Sequence, residues 1–220
     1  MGYSNHKQYG KAVLLLAHLN PVTNSHIRII SNLKSLYETV YIFPVRFLEH
    51  KREINTRSFP FSYDIRRAMI ETVFGSTSGV VVLPDYVFCA PYIKYLPPLV
   101  SPYSWFLRNN IIRNISESKF VSYTGDWIER IGLKLYRLNP VKANRLEISA
   151  SSIKEMMYAQ AREENSNYQP HGYDEEWQKD IPVEVSKLIR DNWILVKKYA
   201  SSPDQTLKIM GMKFPTQGFF

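Results

Sequence analysis

Residues 11–45 read KAVLLLAHLNPVTNSHIRIISNLKSLYETVYIFPV, and the period of their apolar residues changes twice. After Lys11, Ala12–Ala17 is a continuous apolar run, which suits a strand buried on both faces. Between residues 24 and 37, Ile27, Ile30 and Leu33 recur at helical spacing with Ile29 and Leu36 beside them, predicting an amphipathic helix. Thr39–Val45 is apolar again and reads as a second strand. Strand, helix and strand in so short a span form a βαβ unit, so the two strands lie parallel with a right-handed crossover.

The alternation continues outward. Ser62 can cap a helix over Tyr63–Phe74 that ends at Gly75, and Gly79–Leu83 reads as a third buried strand. Pro84, Pro91, Pro97, Pro98 and Pro102 are expected to break regular structure over 84–104. A helix at about 104–115, a strand at Lys119–Tyr123, a short helix at 126–131 and a strand at Lys134–Leu138 follow. From Ser151 the pattern is helical with a loop near 164–174, and 201–220 reads as an irregular tail. The expected fold is α/β: a doubly wound parallel sheet with C-terminal helices. It makes one domain over 1–200, with its core at 10–155 and a helical part at 156–200.

A length of 220 residues, 45% of them apolar, is enough for one substantial core. No run of about twenty apolar residues offers a membrane-spanning helix. The opening MGYSNHKQYGK is polar, and His6 stands where a myristoylation motif needs Ser or Thr. Cys89 is the single cysteine, so neither an internal disulfide nor a cysteine zinc site is available. The expectation is a cytoplasmic or nuclear protein. A net charge of +8 suggests an anionic partner. The basic residues are scattered, adjacent only at 51–52, 66–67 and 197–198, and carry no nucleic-acid-binding motif. Small phosphorylated ligands explain the charge equally well.

Ligands of open parallel sheets bind beyond the carboxyl ends of the strands, where helix N-termini point at them. Residues 18–26 occupy that place. Asn20 and Pro21 suit a tight turn, and Thr23 or Asn24 can cap the helix. His26 then stands in the first helical turn, beside unpaired N–H groups and the positive end of the macrodipole. On position alone, an anion site and an ordinary capped helix with a surface histidine stand level.

AHLNPVTNSH (Ala17–His26) is similar to the signature of the HxGH-type nucleotidyltransferases, (H/T)xGH after a Gly-x-Phe-x-Pro turn. It most resembles the nicotinamide mononucleotide adenylyltransferases, whose eukaryotic members carry NP-x-TN-x-H. Thr23 takes the first motif position and His26 the last; Ala17 and Ser25 replace glycines. The same family ends its sheet with ISxTxxR. Here Ile148–Lys154 reads ISASSIK: Ser149 matches the serine, Ser151 takes the threonine position and Lys154 replaces arginine. Lysine supplies a point charge without arginine's bidentate fork. Further likenesses are Pro44-Val45 followed by His50 and Lys51, PFSYDIRRAMI (Pro60–Ile70), SYTGDW (Ser122–Trp127), and Trp177 followed by IPVEV (Ile181–Val185). The resemblance spans about residues 10–195; 84–115 and the tail have no counterpart.

The resemblance implies a Rossmann-like fold and transfer of AMP from ATP to nicotinamide (or nicotinate) mononucleotide, giving NAD (or deamido-NAD) and pyrophosphate. Such transfers depend on positioning and charge neutralisation. It assigns catalysis to His26, Thr23 and Lys154, and nucleotide binding to Ala17, His18, Leu19, Ser149, Ser151, Gly125 and Asp126. The acceptor falls to Lys51, Arg67 and Trp127, each of which reads equally as an ordinary surface or core residue. Mg²⁺ is expected on the substrate phosphates, with no metal ligand from the protein. The implied partners are ATP and a phosphorylated small-molecule acceptor, without membrane or nucleic acid; homo-oligomers are common in the family. Two other functions stay open: a cytidylyltransferase or phosphopantetheine adenylyltransferase of the same superfamily, and a catalytically degenerate nucleotide- or nucleic-acid-binding protein.

Overall fold

Alternate side chains of the first strand, β1 (Ala12–Ala17), enter two different cores: Val13 and Leu15 one, Ala12, Leu14 and Leu16 the other. An uninterrupted apolar run fits a strand only when both sheet faces are covered. The computed structural model describes residues 11–97, 100–124, 127–142, 150–164 and 175–220. After β1 come α1 (Asn24–Leu36), β2 (Thr39–Pro44), β3 (Arg46–Glu49), β4 (Arg52–Glu53), α2 (Tyr63–Phe74), β5 (Val80–Val82) and β6 (Val87–Cys89). Then follow α3 (Pro102–Ile112), β7 (Phe120–Thr124), α4 (Trp127–Leu135), β8 (Pro140–Lys142) and α5 (Ala150–Glu164). The chain closes with α6 (Val183–Asp191), α7 (Trp193–Ala200), β9 (Thr206–Ile209) and β10 (Met212–Pro215).

Five strands form one sheet in the order β5-β2-β1-β7-β8, every neighbouring pair parallel. In sequence terms the order is third, second, first, fourth, fifth. Chain order therefore reverses between β1 and β7, the switch point beside which doubly wound sheets bind ligands. One face packs on Ile30 and Leu33 of α1, Met69 and Ile70 of α2, and Ile153 and Met157 of α5, with α6 and α7 behind. Leu107 and Ile111 of α3 cover the other face, together with a small sheet of order β4-β3-β6. This is the α/β, doubly wound, Rossmann-like fold with C-terminal helices. No helix among the described residues is long and apolar enough to cross a membrane.

Four expectations need correction. Gly79–Leu83 is not a buried strand: among the described residues β5 is an edge strand paired only with β2, and Val81 is exposed. Lys134–Leu138 is not a strand, because its apolar residues continue the stripe of α4; the strand comes later, after positive-φ turns at Arg137 and Asn139. The proline-rich 84–104 still contains β6, parallel to β3, since Phe88 packs against Phe47 while Pro84 and Pro91 flank the strand. Residues 201–220 are no irregular tail. β9 and β10 form an antiparallel hairpin turned at Met210 and Gly211, both at positive φ. Phe214 and Phe219 enter the second core, and the N–H groups of Tyr92 and Ile93 donate to Gly218 and Phe219. The loop expected near 164–174 lies almost wholly outside the described residues.

Candidate active site

Thr23 is the N-cap of α1, and it forms a reciprocal pair with His26. The His26 N–H donates to Thr23 Oγ1 at 3.4 Å, while the Thr23 N–H donates to His26 Nδ1 at 3.1 Å. This is a capping box in which imidazole replaces the usual carboxylate or amide. Because Nδ1 accepts, the ring proton resides on Nε2, which is left as a donor. Burial, and then the nearby Lys154 ammonium, push His26 down to about 4. The ring is therefore neutral at pH 7 and sits at the positive end of a helix.

The turn before it is held from three sides. Asn20 brackets the backbone of Phe61, its Nδ2 donating to the carbonyl at 2.7 Å and its Oδ1 accepting the N–H at 3.2 Å. Buried Arg66 donates to the His18 carbonyl at 2.7 Å, to the Ser62 carbonyl at 3.3 Å and to Glu53 at 3.0 Å. Glu53 in turn accepts the Tyr63 N–H and so caps α2, where Ser62 makes no side-chain bond. Lys154 Nζ donates to the carbonyls of Asn20 and Ser58 at 3.0 and 2.8 Å. Its burial, with Lys213 adding repulsion, brings it down to about 8. Leu19 adopts a φ of 49°, a left-handed conformation costing a non-glycine residue about 1 kcal/mol. Its side chain is buried in the core, which fixes that conformation.

The starts of α1, α2 and α5 thus converge on one turn, and Ala17, His18, Leu19, Thr23, His26 and Lys154 come together there. Several roles change. Leu19 offers a ligand only its backbone, its side chain being core. The His18 ring stacks on Phe59 at 4.5 Å; burial and then Arg66 push it down to about 3, and its buried Nε2 has no partner among the described residues. Lys154 is not a free cation on the triphosphate: two carbonyls hold its ammonium beneath the turn. Arg67 points outward and pairs with Glu71 at 2.6 Å, whereas its neighbour Arg66 faces the turn. Lys51 lies exposed at the tip between β3 and β4, and Trp127 is exposed at the start of α4. Ser151 is exposed in the first turn of α5. Gly125, Asp126 and Ser149 lie outside the described residues.

Sequence reasoning missed Arg66 and Glu53. For Arg66 a signal existed, because Tyr63, Arg66, Ile70 and Phe74 share one helical stripe and all are buried. Glu53 gave none, since a loop separates it from the helix it caps. Beside the turn, Ala17 also lines a cavity of about 90 Å³ on the second face of the sheet, walled by Val45, Phe88, α4 and the C-terminal hairpin. Among the described residues no group of three His, Cys, Asp or Glu is placed to hold a metal ion.

No family model matches the chain, and no curated protein sequence does. Solved structures do. The bifunctional NMN adenylyltransferase/ADP ribose pyrophosphatase of Francisella tularensis, complexed with AMP and a manganese ion, has 11% identity and a TM-score of 0.53. The match covers 89% of this chain and 57% of that one, so the chain spans little more than half that protein's length. A protein assigned as a nicotinate-nucleotide adenylyltransferase from Vibrio parahaemolyticus has 12% identity and a TM-score of 0.51. That match covers 86% of this chain and 96% of the other. At these identities the likeness establishes the fold.

Proposed function

We propose that the chain is a nucleotidyltransferase that moves AMP from ATP to nicotinamide or nicotinate mononucleotide. The observation that carries this reading is the Thr23–His26 capping box beside the switch point of the sheet. The fold shared with proteins named for adenylyl transfer to these acceptors supports it. An oxygen of the acceptor's phosphate attacks the α-phosphorus of ATP. The new P–O bond forms as the bond to the α,β-bridging oxygen breaks, and pyrophosphate leaves with that electron pair. The protein's task is to hold both phosphates in line and to offset negative charge as it moves to the leaving group.

His26 Nε2–H and the unpaired N–H groups of the first turn of α1 serve as the fixed donors for that charge. A neutral imidazole suits this part, since it donates without changing charge around pH 7. Thr23 fixes the tautomer, and Lys154 places positive charge under the turn while holding its shape. Ser151 in the first turn of α5, together with Ser149, binds the outer phosphates in this proposal, and Gly125 and Asp126 stay with the adenosine. Lys51 and Trp127 stay with the acceptor. Magnesium would be held by the phosphates of the triphosphate and by water, with no ligand from the described residues, and would supply neutralisation of part of the phosphate charge.

The test is pyrophosphate release from ATP and from CTP, each with nicotinamide mononucleotide, nicotinate mononucleotide, glycerol phosphate, choline phosphate and phosphopantetheine. Release from ATP with a pyridine mononucleotide is expected. Release confined to CTP or to phosphopantetheine would move the chain within the superfamily, and silence across the panel would leave a nucleotide-binding protein without this activity.

A further inference from the structure

Ser58 is where the C-terminal hairpin reaches the candidate site. The loop that carries it, between β4 and α2, grips the turn before α1 at three points. The Ser58 carbonyl accepts Lys154 Nζ at 2.8 Å, the Phe59 ring stacks on His18 at 4.5 Å, and Asn20 brackets the Phe61 backbone. The buried Ser58 hydroxyl belongs to the hairpin instead. It donates to Asp204 Oδ2 at 2.8 Å and accepts Lys213 Nζ at 2.8 Å, while Lys213 also meets Asp204 at 3.3 Å. Thr206, at the start of β9, donates to the same carboxylate oxygen at 3.0 Å.

Two ammonium groups thus share one residue, Lys154 on its carbonyl and Lys213 on its hydroxyl, and Asp204 pairs with the second. Like charges this near repel, and a carboxylate beside one of them offsets part of the repulsion. Burial first, and then Lys213, lower Lys154, whereas Asp204 and Glu155 act in the other direction. Glu155 is exposed and paired with Arg57 at 2.5 Å, so water and that partner screen it. Lys154 also acts on the rings of His18 and His26, both neutral at pH 7, and Arg66 acts on His18.

We infer that the hairpin is a part of the candidate site, in which Lys213 and Asp204 are positioning residues that act through Ser58 to set the charge Lys154 holds beneath the turn. The inference rests on the nucleotidyltransfer reading above. The hairpin lies outside the span of the family resemblance, about residues 10–195.

Two substitutions of matched shape test this by moving charge in opposite directions. Lys213→Met removes the positive charge and keeps the side chain's length, and Asp204→Asn removes the negative charge and keeps an oxygen for the Ser58 hydroxyl. Both positions are partly exposed, so the circular dichroism spectrum is expected to be kept. Nuclear magnetic resonance titration of the full chain carrying isotope-labelled lysine reads Lys154 directly, with a wild-type midpoint expected at about 8. Lys213→Met is expected to raise that midpoint by at least about half a pH unit and Asp204→Asn to lower it by as much, the double variant returning near the wild type. Turnover with ATP and a pyridine mononucleotide should follow. Between pH 7 and pH 8.5, Asp204→Asn is expected to lose at least about threefold more of its rate than Lys213→Met. A hairpin that only braces the fold would move both midpoints the same way or neither, and either result would overturn the inference. Midpoints that separate in an active chain whose two rates stay together would overturn it too. The titration needs no turnover, so a chain that titrates as stated but transfers nothing would overturn the nucleotidyltransfer reading alone.

Discussion

Thr23 and His26 each satisfy the other's backbone N–H, and in doing so they occupy Nδ1 and leave the ring proton on Nε2. His26→Ala removes that donor; turnover is expected to fall at least about a hundredfold, the scale of one lost transition-state donor. The circular dichroism spectrum should be unchanged. Arg66 and Arg67 make a sharper contrast. Arg66→Ala leaves Glu53 and the His18 carbonyl without their partner and is expected to cost about 3–5 kcal/mol in urea unfolding. Arg67→Ala, on the exposed side, should change stability by less than about 0.5 kcal/mol. The buried histidines set a pH dependence. His18 and His26 titrate at about 3 and about 4 when folded, against 6.5 unfolded. Below pH 6.5 the unfolded chain takes up protons that the folded chain refuses, so stability is full above that pH and falls as pH drops toward 4 and then 3. Lys154, at about 8 folded against 10.5, carries its burial cost below pH 8 and sheds it as pH rises to 10.5. The urea midpoint should therefore be lower at pH 4.5 than at pH 7; equal midpoints would count against the buried, neutral imidazoles. Thr23 and His26 were legible in the sequence because a capping box is local. The true posting of Lys154 was not, since its carbonyl partners, Asn20 and Ser58, lie far back along the chain and only folding brings them to it.

The C-terminal hairpin joins the candidate site to the second core. Lys213 donates to Ser58 Oγ at 2.8 Å, and the carbonyl of the same Ser58 receives Lys154. A polar run thus leads from β10 to the turn before α1. Phe214 packs on Phe47 and Phe88. Phe214→Ala is expected to cost about 3–5 kcal/mol in urea unfolding, as for other buried aromatics. A loss below about 1 kcal/mol would mean that the hairpin is not part of the core. Its strands are four residues each, and Met-Gly is a weaker turn signal than Asn-Gly, so the sequence reads there as irregular. The apolar run at 80–82 misled in the opposite direction. Its composition suits a central strand, yet whether a strand lies at an edge depends on which neighbours arrive, and among the described residues only β2 does.

For the molecule as a whole, the parallel sheet follows from the repeated change of apolar period that begins in residues 11–45, whereas the switch point depends on β7 arriving beside β1 from far along the chain. The cavity was out of reach, because its walls come from the end of β1, from β6, from α4 and from the hairpin. No one of these segments carries its shape. The switch point and the capping box both lie at the carboxyl end of β1, and Ala17 at that same end also lines the cavity. The most direct test is to incubate the chain with ATP, magnesium and nicotinamide mononucleotide and to quantify dinucleotide and pyrophosphate by mass spectrometry. Equal amounts of both products are expected from the wild type, and at least about a hundredfold less from a folded His26→Ala variant. A wild-type chain that yields no dinucleotide, or a His26→Ala variant as active as the wild type, would contradict the claim that this turn transfers a nucleotidyl group.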